Sequence, residues 1–235
     1  NKVYGANDPS LGSIGVTLSG LINNGAVVTW NGNVAIDDSA LTSSVTSLVR
    51  AVGEDVGSYN ITSGVLTSAS SNYTTPTLTG TPTLSITQAT LSGSIANQNK
   101  VYGENDPSIG SIGVTLSGVI VNPTVVTWNG NTSIDDTGLV SGTLSGLTRD
   151  IGEAVGAYDI TSSSFNLSGA SSGNYSSTGT LTGSPTLTIT QASLTGSISN
   201  QNKVYGANDP SLGSIGVTLS GLINNGAVVT WNGNV

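Results

Sequence analysis

Residues 1–34 read NKVYGANDPSLGSIGVTLSGLINNGAVVTWNGNV, and residues 202–235 repeat this stretch without a single change. A diverged copy, NKVYGENDPSIGSIGVTLSG, begins at Asn99. Lys2 and Lys100 are 98 residues apart, and Lys100 and Lys203 are 103 residues apart. Self-similarity at a long, nearly fixed period is typical of a tandem array. An identical pair separated by a diverged copy indicates that two repeat types alternate, and we refer to them as first-type and second-type repeats.

The apolar residues within each repeat alternate with polar ones, which predicts β-strands rather than helices. Asn31-Gly32 joins two short apolar runs in Val27–Ile36 and predicts a tight hairpin in which both central residues take positive φ. Together with the strands at the repeat boundaries, the predicted strands include Gly15–Gly20, Tyr59–Leu66 and Pro76–Leu84. About seven or eight short strands in roughly 100 residues are typical of a sandwich. We predict an all-β fold of tandem Ig-like β-sandwich domains in an extended array.

One segment of the first repeat has helical periodicity. Leu41, Val45, Leu48, Val49 and Val52 fall at the spacing of an amphipathic helix. The second copy, 138–146, carries three glycines there, and each glycine costs about 1 kcal/mol in a helix. Because both copies must share one fold, we predict a strand or loop, and a short helical turn stays open in the first copy only.

The phase of the alternation predicts where one domain ends. Leu84 and Ile86 are the apolar residues of one strand, whereas Ala89 and Leu91 are those of the next, so the apolar face changes parity at Gln88. A shift of one residue sends side chains to the opposite face of a strand, and the same shift occurs after Gln191. The predicted domains are 1–88, which lacks its first strand, a complete domain at 89–191, and the opening of a third repeat at 192–235. With no Gly/Ser or Pro-rich linker between them, we expect stiff connections.

Composition excludes several classes of function. The chain has 5 Lys and Arg against 13 Asp and Glu, so it lacks the basic surface that nucleic-acid binding requires. No apolar run approaches the roughly 18 residues of a membrane span, and no leader opens the chain. With no His and no Cys, the usual general base, thiolate nucleophile and commonest metal ligands are missing. We therefore expect no enzyme activity, no catalytic residues, no cofactor site and no metal site.

Spaced motifs in both copies resemble a known family. Val3-Tyr4-Gly5 with Asp8-Pro9 is followed by Arg50, by Gly53-Glu54 and by a later Asn72-Tyr73, and the second copy has the same order. This order is similar to the YGX-type MBG repeat of large bacterial surface adhesins. The resemblance implies a tandem extracellular module at the cell surface, whereas the mucin binding to which the family name alludes is tied to no motif here.

The few charged residues suggest local structural roles. Arg50 and Glu54, with Arg149 and Glu153 in the second copy, form either an ion pair that holds a loop or a ligand clamp, and we favour the ion pair. Gly53 and Gly57 suit positive φ at either end of that loop. Tyr59 is placed to hydrogen-bond across a sandwich corner.

Other residues have more than one interpretation. The carboxylates of Asp37-Asp38 and Asp135-Asp136, with Asn7, Asn31 and Asn33, are conceivable Ca²⁺ ligands, although ordinary loops are the simpler interpretation. Lys2, Lys100 and Lys203 are solvent-facing residues that oppose aggregation, or they crosslink to an Asn. Trp30, Trp128 and Trp231 are expected to anchor the core or the space between sheets.

These observations favour a structural spacer or stalk of an extracellular adhesin or surface filament. The expected partners are neighbouring repeats of the same chain, with filament self-assembly as an extension. The alternative is a carbohydrate- or mucin-binding module in which Trp30 stacks on host or surface glycans. An exposed aromatic platform would favour the alternative, and a buried tryptophan would contradict it.

Overall fold

The computed structural model describes residues 1–234 and is all-β, which confirms the predicted fold class. Its only helical elements in that range are short 3₁₀ turns at Leu11–Ser13, Ile109–Ser111, Ser172–Asn174 and Leu212–Ser214. The strands are β1 (Lys2–Val3), β2 (Asn23–Thr29), β3 (Gly32–Asp37), β4 (Val45–Arg50), β5 (Gly57–Leu66), β6 (Thr83–Thr87), β7 (Ala89–Ser94), β8 (Gln98–Val101), β9 (Thr115–Ser117), β10 (Val121–Thr127), β11 (Gly130–Asp135), β12 (Ser141–Arg149), β13 (Gly156–Ser168), β14 (Tyr175–Leu181), β15 (Thr186–Thr190), β16 (Thr195–Ile198), β17 (Val217–Ser220), β18 (Val229–Thr230) and β19 (Gly233–Asn234).

The chain forms two compact units, each of which draws on more than one sequence repeat. The first unit contains Asn1–Leu91, Gly118–Val140 and Gly169–Ser177. The second unit contains Ser92–Ser117, Ser141–Ser168 and Thr178–Val235. The predicted domains 1–88, 89–191 and 192–235 describe the repeat period of the sequence, and their independent folding stays a prediction, as does the Ig-like arrangement of the sheets.

A four-stranded sheet in the order β1-β6-β5-β4 forms the centre of the first unit. β1 pairs with β6 in parallel, whereas β6 and β5, and β5 and β4, are antiparallel. Leu84 and Ile86 of β6 are almost fully buried, as period-two alternation requires when one face of a strand is covered. Val45, Leu48 and Leu66 form a second buried group. Two hairpins, β2–β3 and β10–β11, also belong to this unit.

The second unit repeats this sheet with second-type residues, in the order β12-β13-β15-β8. β15 and β8 are parallel, in the register Leu187↔Gln98 to Thr190↔Val101. Leu187 and Ile189 are its most deeply buried residues. Residues 92–94 of β7 pair with β9, and β16 pairs with β17. The strands that follow Gln88 and Gln191 therefore each pair with a strand of the repeat motif that begins next, at Asn99 or at Asn202.

The change of strand phase predicted at Gln88 is visible in the burial of the side chains, whereas Leu194 and Ile198 after Gln191 are exposed. Leu84 and Ile86 are buried in β6, and Ala89 and Leu91 are buried in β7, while Gln88 lies between the two strands. The buried positions therefore pass from even to odd residue numbers across one residue, as the alternation predicted. Within residues 41–52, Val45–Arg50 forms β4 and no helix is present, in agreement with the glycine argument.

Three local predictions are wrong. Pro76–Leu84 is not one strand, because β6 begins only at Thr83 and Thr77 forms just an isolated bridge with Val65. Gly15–Gly20 contains no strand in the first repeat, although the equivalent residues form β9 and β17 where a boundary strand is present to pair with them. In the first hairpin Thr29 pairs with Gly32, so Trp30 and Asn31 form the turn. Only Gly32 takes positive φ, at 111°, because no non-glycine residue of the described chain does so.

Candidate functional site: the joints between repeats

Four charged side chains meet in the first unit, and we call them the charge cluster: Lys2, Asp8, Arg50 and Glu54. Lys2 Nζ lies 2.8 Å from Asp8 Oδ1 and 2.5 Å from Glu54 Oε2. Arg50 Nε lies 2.8 Å from Asp8 Oδ2, and Arg50 also pairs with Glu54. The Lys2, Asp8 and Arg50 side chains are at most 2% exposed. Two cations and two anions thus neutralise one another where an unpaired charge would be very costly.

Hydrogen bonding keeps the Asp8 carboxylate ionised. Burial alone would raise the pKa of Asp8, but hydrogen bonds from Arg50 and Lys2 outweigh it and lower the pKa below its ordinary value. The pKa of Arg50 is raised, because its bonds to Asp8 and Glu54 outweigh the opposing effect of burial. Both groups therefore remain charged at neutral pH.

The loop after β4 holds the Arg50 guanidinium in place. Its Nη1 donates to the carbonyls of Ala51, at 3.1 Å, and Gly53, at 2.7 Å. Gly53 has a φ of 140°, and a Cβ there would lie 2.5 Å from the Tyr59 ring. Tyr59 Oη donates to the Asp55 carbonyl at 2.8 Å, and the Arg50 guanidinium lies 5.3 Å from the centre of the Tyr59 ring.

These contacts confirm the predicted Arg50–Glu54 pair and the hydrogen-bonding tyrosine. The positive φ predicted at Gly57 is wrong, because that residue is extended as the first residue of β5.

A hairpin from the following repeat binds this charge cluster. We call its strands and turn, Val121–Asp135, the Trp hairpin. Trp128 donates from its backbone N–H to Asp8 Oδ2 at 3.0 Å and from its indole Nε1 to the Pro9 carbonyl at 2.9 Å. Asn129 exchanges two hydrogen bonds with the Arg50 backbone, at 3.1 and 2.8 Å. The half-buried Trp128 ring also packs against the group formed by Val45, Leu48 and Leu66.

The second unit contains the same contact between the next pair of repeats. Lys100, Asp106, Arg149 and Glu153 reproduce the charge cluster. Trp231 donates to Asp106 Oδ2 at 3.0 Å and to the Pro107 carbonyl at 2.8 Å. Asn232 exchanges two hydrogen bonds with the Arg149 backbone, at 3.0 and 2.6 Å. We call this contact, a Trp hairpin on the charge cluster of the preceding repeat, the repeat joint.

A buried carboxylate adds a second contact between the first two repeats. Asp136 accepts hydrogen bonds from Tyr4 Oη at 3.0 Å, Tyr175 Oη at 2.5 Å and Ser171 Oγ at 2.7 Å. The Tyr4 and Tyr175 rings meet edge to face, with centroids 5.5 Å apart. Burial, followed by the bond to Asp136, raises the pKa of Tyr175 to about 12, and the same causes raise the pKa of Tyr4. Both hydroxyls therefore remain protonated donors at neutral pH.

Asn174 extends this contact along the first repeat. Its Nδ2 donates to Asp55 Oδ1 at 2.7 Å, and its Oδ1 accepts from the Val56 backbone at 2.9 Å. Gln88 Nε2 donates to the carbonyls of Gly173 and Tyr175 at 3.1 and 2.9 Å. The Asn-Tyr motif of one repeat thus binds the loop that follows the Arg50 motif of the repeat before it.

The structure changes the interpretation of the lysines. Lys2 and Lys100 are 7% and 5% exposed, so the prediction of solvent-facing residues is wrong for both. Each pairs with one Asp and one Glu carboxylate, and the alternative of a crosslink to an Asn stays a prediction. Lys203 is exposed and pairs with Asp209.

The tryptophans also differ from the prediction of core anchors. Trp128 and Trp231 are half-buried in repeat joints, whereas Trp30 is fully exposed. The joint was missed because its partners are far apart in sequence, 120 residues for Asp8 and Trp128. The sequence did contain one signal of the joint: the tryptophan hairpin and the Lys and Arg residues recur with nearly the same period along the chain.

Five of the seven proposed calcium ligands, the four aspartates and Asn7, accept hydrogen bonds from other protein groups. Asp38 accepts from Tyr73, Asp37 from the Ser39 backbone, and Asn7 from the Val126 backbone. Within residues 1–234 no three His, Cys, Asp or Glu side chains are grouped as a metal site would require. Calcium binding stays a prediction.

Trp128→Ala is expected to destabilise the first unit by about 2 kcal/mol, roughly half the cost of deleting a fully buried aromatic residue. Trp30→Ala is expected to change stability by less than about 0.5 kcal/mol, because its ring contacts solvent. Urea unfolding monitored by far-UV circular dichroism compares the two variants. Equal losses would contradict the assignment of Trp128 to the joint.

Residues 1–83 match the family model of the MBG domain of the YGX type. Domains of this family are found in bacterial surface proteins and adhesin-like repeats. No curated protein and no solved structure matches the chain. In the part that the structure describes, no helix is both long and apolar enough to cross a membrane.

Proposed function

We propose that this chain is a spacer segment of an extracellular bacterial adhesin or surface filament, in which the repeat joints hold consecutive repeats in a fixed orientation. The observation that carries the proposal is the use of the motif residues. The side chains that a binding or catalytic site would require, such as Arg50, Asp8 and Trp128, are engaged with one another across the joint. A chain whose charged and aromatic residues bind one repeat to the next is suited to keeping those repeats at a fixed distance and orientation.

The burial of the charge cluster supports a structural role over a ligand site. Each ion of the cluster has a partner of opposite charge, and every buried side-chain nitrogen or oxygen of the described residues has a hydrogen-bond partner. A ligand clamp needs groups that remain unpaired until the ligand arrives. Hydrogen bonds made without a ligand therefore favour a permanent joint.

The expected behaviour of an array follows from its stiff connections. A β-sheet repeat of this size is about 35–45 Å long, and each added repeat is expected to extend a rigid array by about 40 Å. Flexible tethers would instead give a length that grows as roughly the square root of residue number. X-ray scattering on arrays of two, four and six repeats measures the maximum dimension. Sub-linear growth with broad angles between repeats would contradict the spacer function.

Carbohydrate binding is the second candidate function, and one observation favours it. Trp30 is fully exposed at the tip of β2–β3, with the exposed side chains of Asn31 and Asn33 beside it. An aromatic face with polar neighbours suits stacking on a sugar ring. The candidate rests on Trp30 alone, because Trp128 and Trp231 are engaged in joints.

A further inference from the structure

We propose that the exposed hairpin β2–β3 is an interaction surface whose partner is the charge cluster of another second-type repeat. The first ground is its sequence. Residues 23–34 are identical to residues 224–235. In that second occurrence, Trp231 and Asn232 bind Asp106, Pro107 and the Arg149 backbone of a second-type repeat.

The second ground is that the free hairpin already has the conformation of the bound ones. Thr29 Oγ1 donates to the Gly32 carbonyl at 2.6 Å and accepts from the Asn31 backbone at 3.2 Å. The equivalent bonds of Thr127 are 2.7 and 3.1 Å, and those of Thr230 are 2.6 and 3.2 Å. Binding therefore requires no reordering of the turn, which lowers its entropic cost.

The third ground is the set of groups that the hairpin leaves in solvent. Trp30, Asn31 and Val28 are all exposed, Val28 to 82%. In the bound hairpins, the equivalents of Trp30 and Asn31 supply the four hydrogen bonds to the charge cluster and its loop. An exposed tryptophan on a rigid turn is a typical interface anchor.

The partner is specified by the two repeat joints together. A second-type hairpin binds a first-type charge cluster in the first unit, and a first-type hairpin binds a second-type charge cluster in the second unit. Asn225 Nδ2 also donates to the Gly103 carbonyl at 3.0 Å, and Asn24 is its equivalent in the free hairpin. The pairing seen for the identical sequence is therefore hairpin β2–β3 with a repeat of sequence 99–201.

The experiment places residues 89–201 a second time, directly before Asn1, so that a second-type repeat precedes the free hairpin. The emission of Trp30 is isolated by subtracting the spectrum of the matching Trp30→Phe chain, and its quenching by acrylamide is measured with and without the added repeat. We expect quenching to fall several-fold and the emission to shift to shorter wavelength. Unchanged quenching of Trp30 would overturn the proposal.

Asn31→Ala is the matched control. Asn31 is exposed in the present chain, so the substitution should leave folding and Trp30 quenching unchanged there. In the extended chain it removes the two proposed bonds of Asn31 that correspond to those between Asn232 and Arg149, and quenching should rise part of the way back. No rise would contradict the proposed mode of binding. Trp30 quenching does not depend on how the maximum dimension of an array grows with the number of repeats. Failure of this proposal is therefore distinguishable from failure of the spacer function.

Discussion

Asp8→Ala is expected to destabilise the first unit by about 3–5 kcal/mol, the usual cost of removing one partner from a buried charge group. The Asp8 carboxylate accepts from Lys2, from two Arg50 nitrogens and from the Trp128 backbone. Without it, two cations share the single carboxylate of Glu54, and a backbone N–H loses its acceptor. Urea unfolding followed by circular dichroism measures the loss.

Asp209→Ala provides a control within the same molecule. Asp209 occupies the position of Asp8 in an identical stretch of sequence, yet its side chain is 81% exposed against 1% for Asp8. Its one ion pair, to Lys203, is exposed, and such pairs contribute about 0.2–1 kcal/mol. Similar losses at the two positions would contradict the importance of burial in the joint.

The buried Asp8 carboxylate is also expected to make the free energy of unfolding depend on pH. The pKa of Asp8 is lowered in the folded chain, so Asp8 binds protons more readily when the chain is unfolded. Its contribution is complete above the unfolded value of about 3.9 and is lost as pH falls through the folded pKa. The parent chain should therefore lose more stability below about pH 4 than Asp8→Ala does. Parallel pH profiles would contradict the ionised cluster.

Asp136→Ala is expected to cost about 3 kcal/mol or more, because charged hydrogen bonds contribute about 1.5–3 kcal/mol each and buried donors are costly when left unpaired. The substitution removes the common acceptor of Tyr4, Tyr175 and Ser171. Thermal or urea unfolding of the variant gives the value.

Asp38→Ala is the matched control for Asp136. Asp38 is the equivalent residue of the first repeat, is half-buried and accepts from a single tyrosine, Tyr73, at 2.7 Å. Its removal is expected to cost about 1 kcal/mol. If Asp38→Ala cost as much as Asp136→Ala, the contact with Tyr4 of the preceding repeat would contribute nothing.

The strands were largely predictable, because alternation within a strand is a local property of the sequence. The buried pair Leu84 and Ile86, the switch at Gln88 and the choice of strand over helix at β4 all followed from spacing and glycine content. The hairpin turn was misjudged by one residue, since an Asn-Gly pair also permits Gly to follow the turn. Here Trp30 and Asn31 form the turn instead.

The joints were not predictable from local pattern. A buried Lys and a solvent-facing Lys look identical in sequence, and Lys2 and Lys203 have identical neighbours from Asn1 to Val34 and from Asn202 to Val235. Lys2 is buried because Asp8 and Glu54 pair with it, and Glu54 lies 52 residues further along the chain. A contact over that distance in sequence leaves no local pattern from which the burial of Lys2 could be predicted.

The parallel pairing of β8 with β15 determines how a repeat bears a mechanical load. The chain enters at Gln98 and leaves at Thr190, at opposite ends of two strands that run in the same direction. A pull on the two ends draws these strands past each other, so the hydrogen bonds between them are strained in shear and share the force. Strands joined as a hairpin would separate one bond at a time. β1 and β6 are paired in the same way in the first unit, so the same shear geometry is present there.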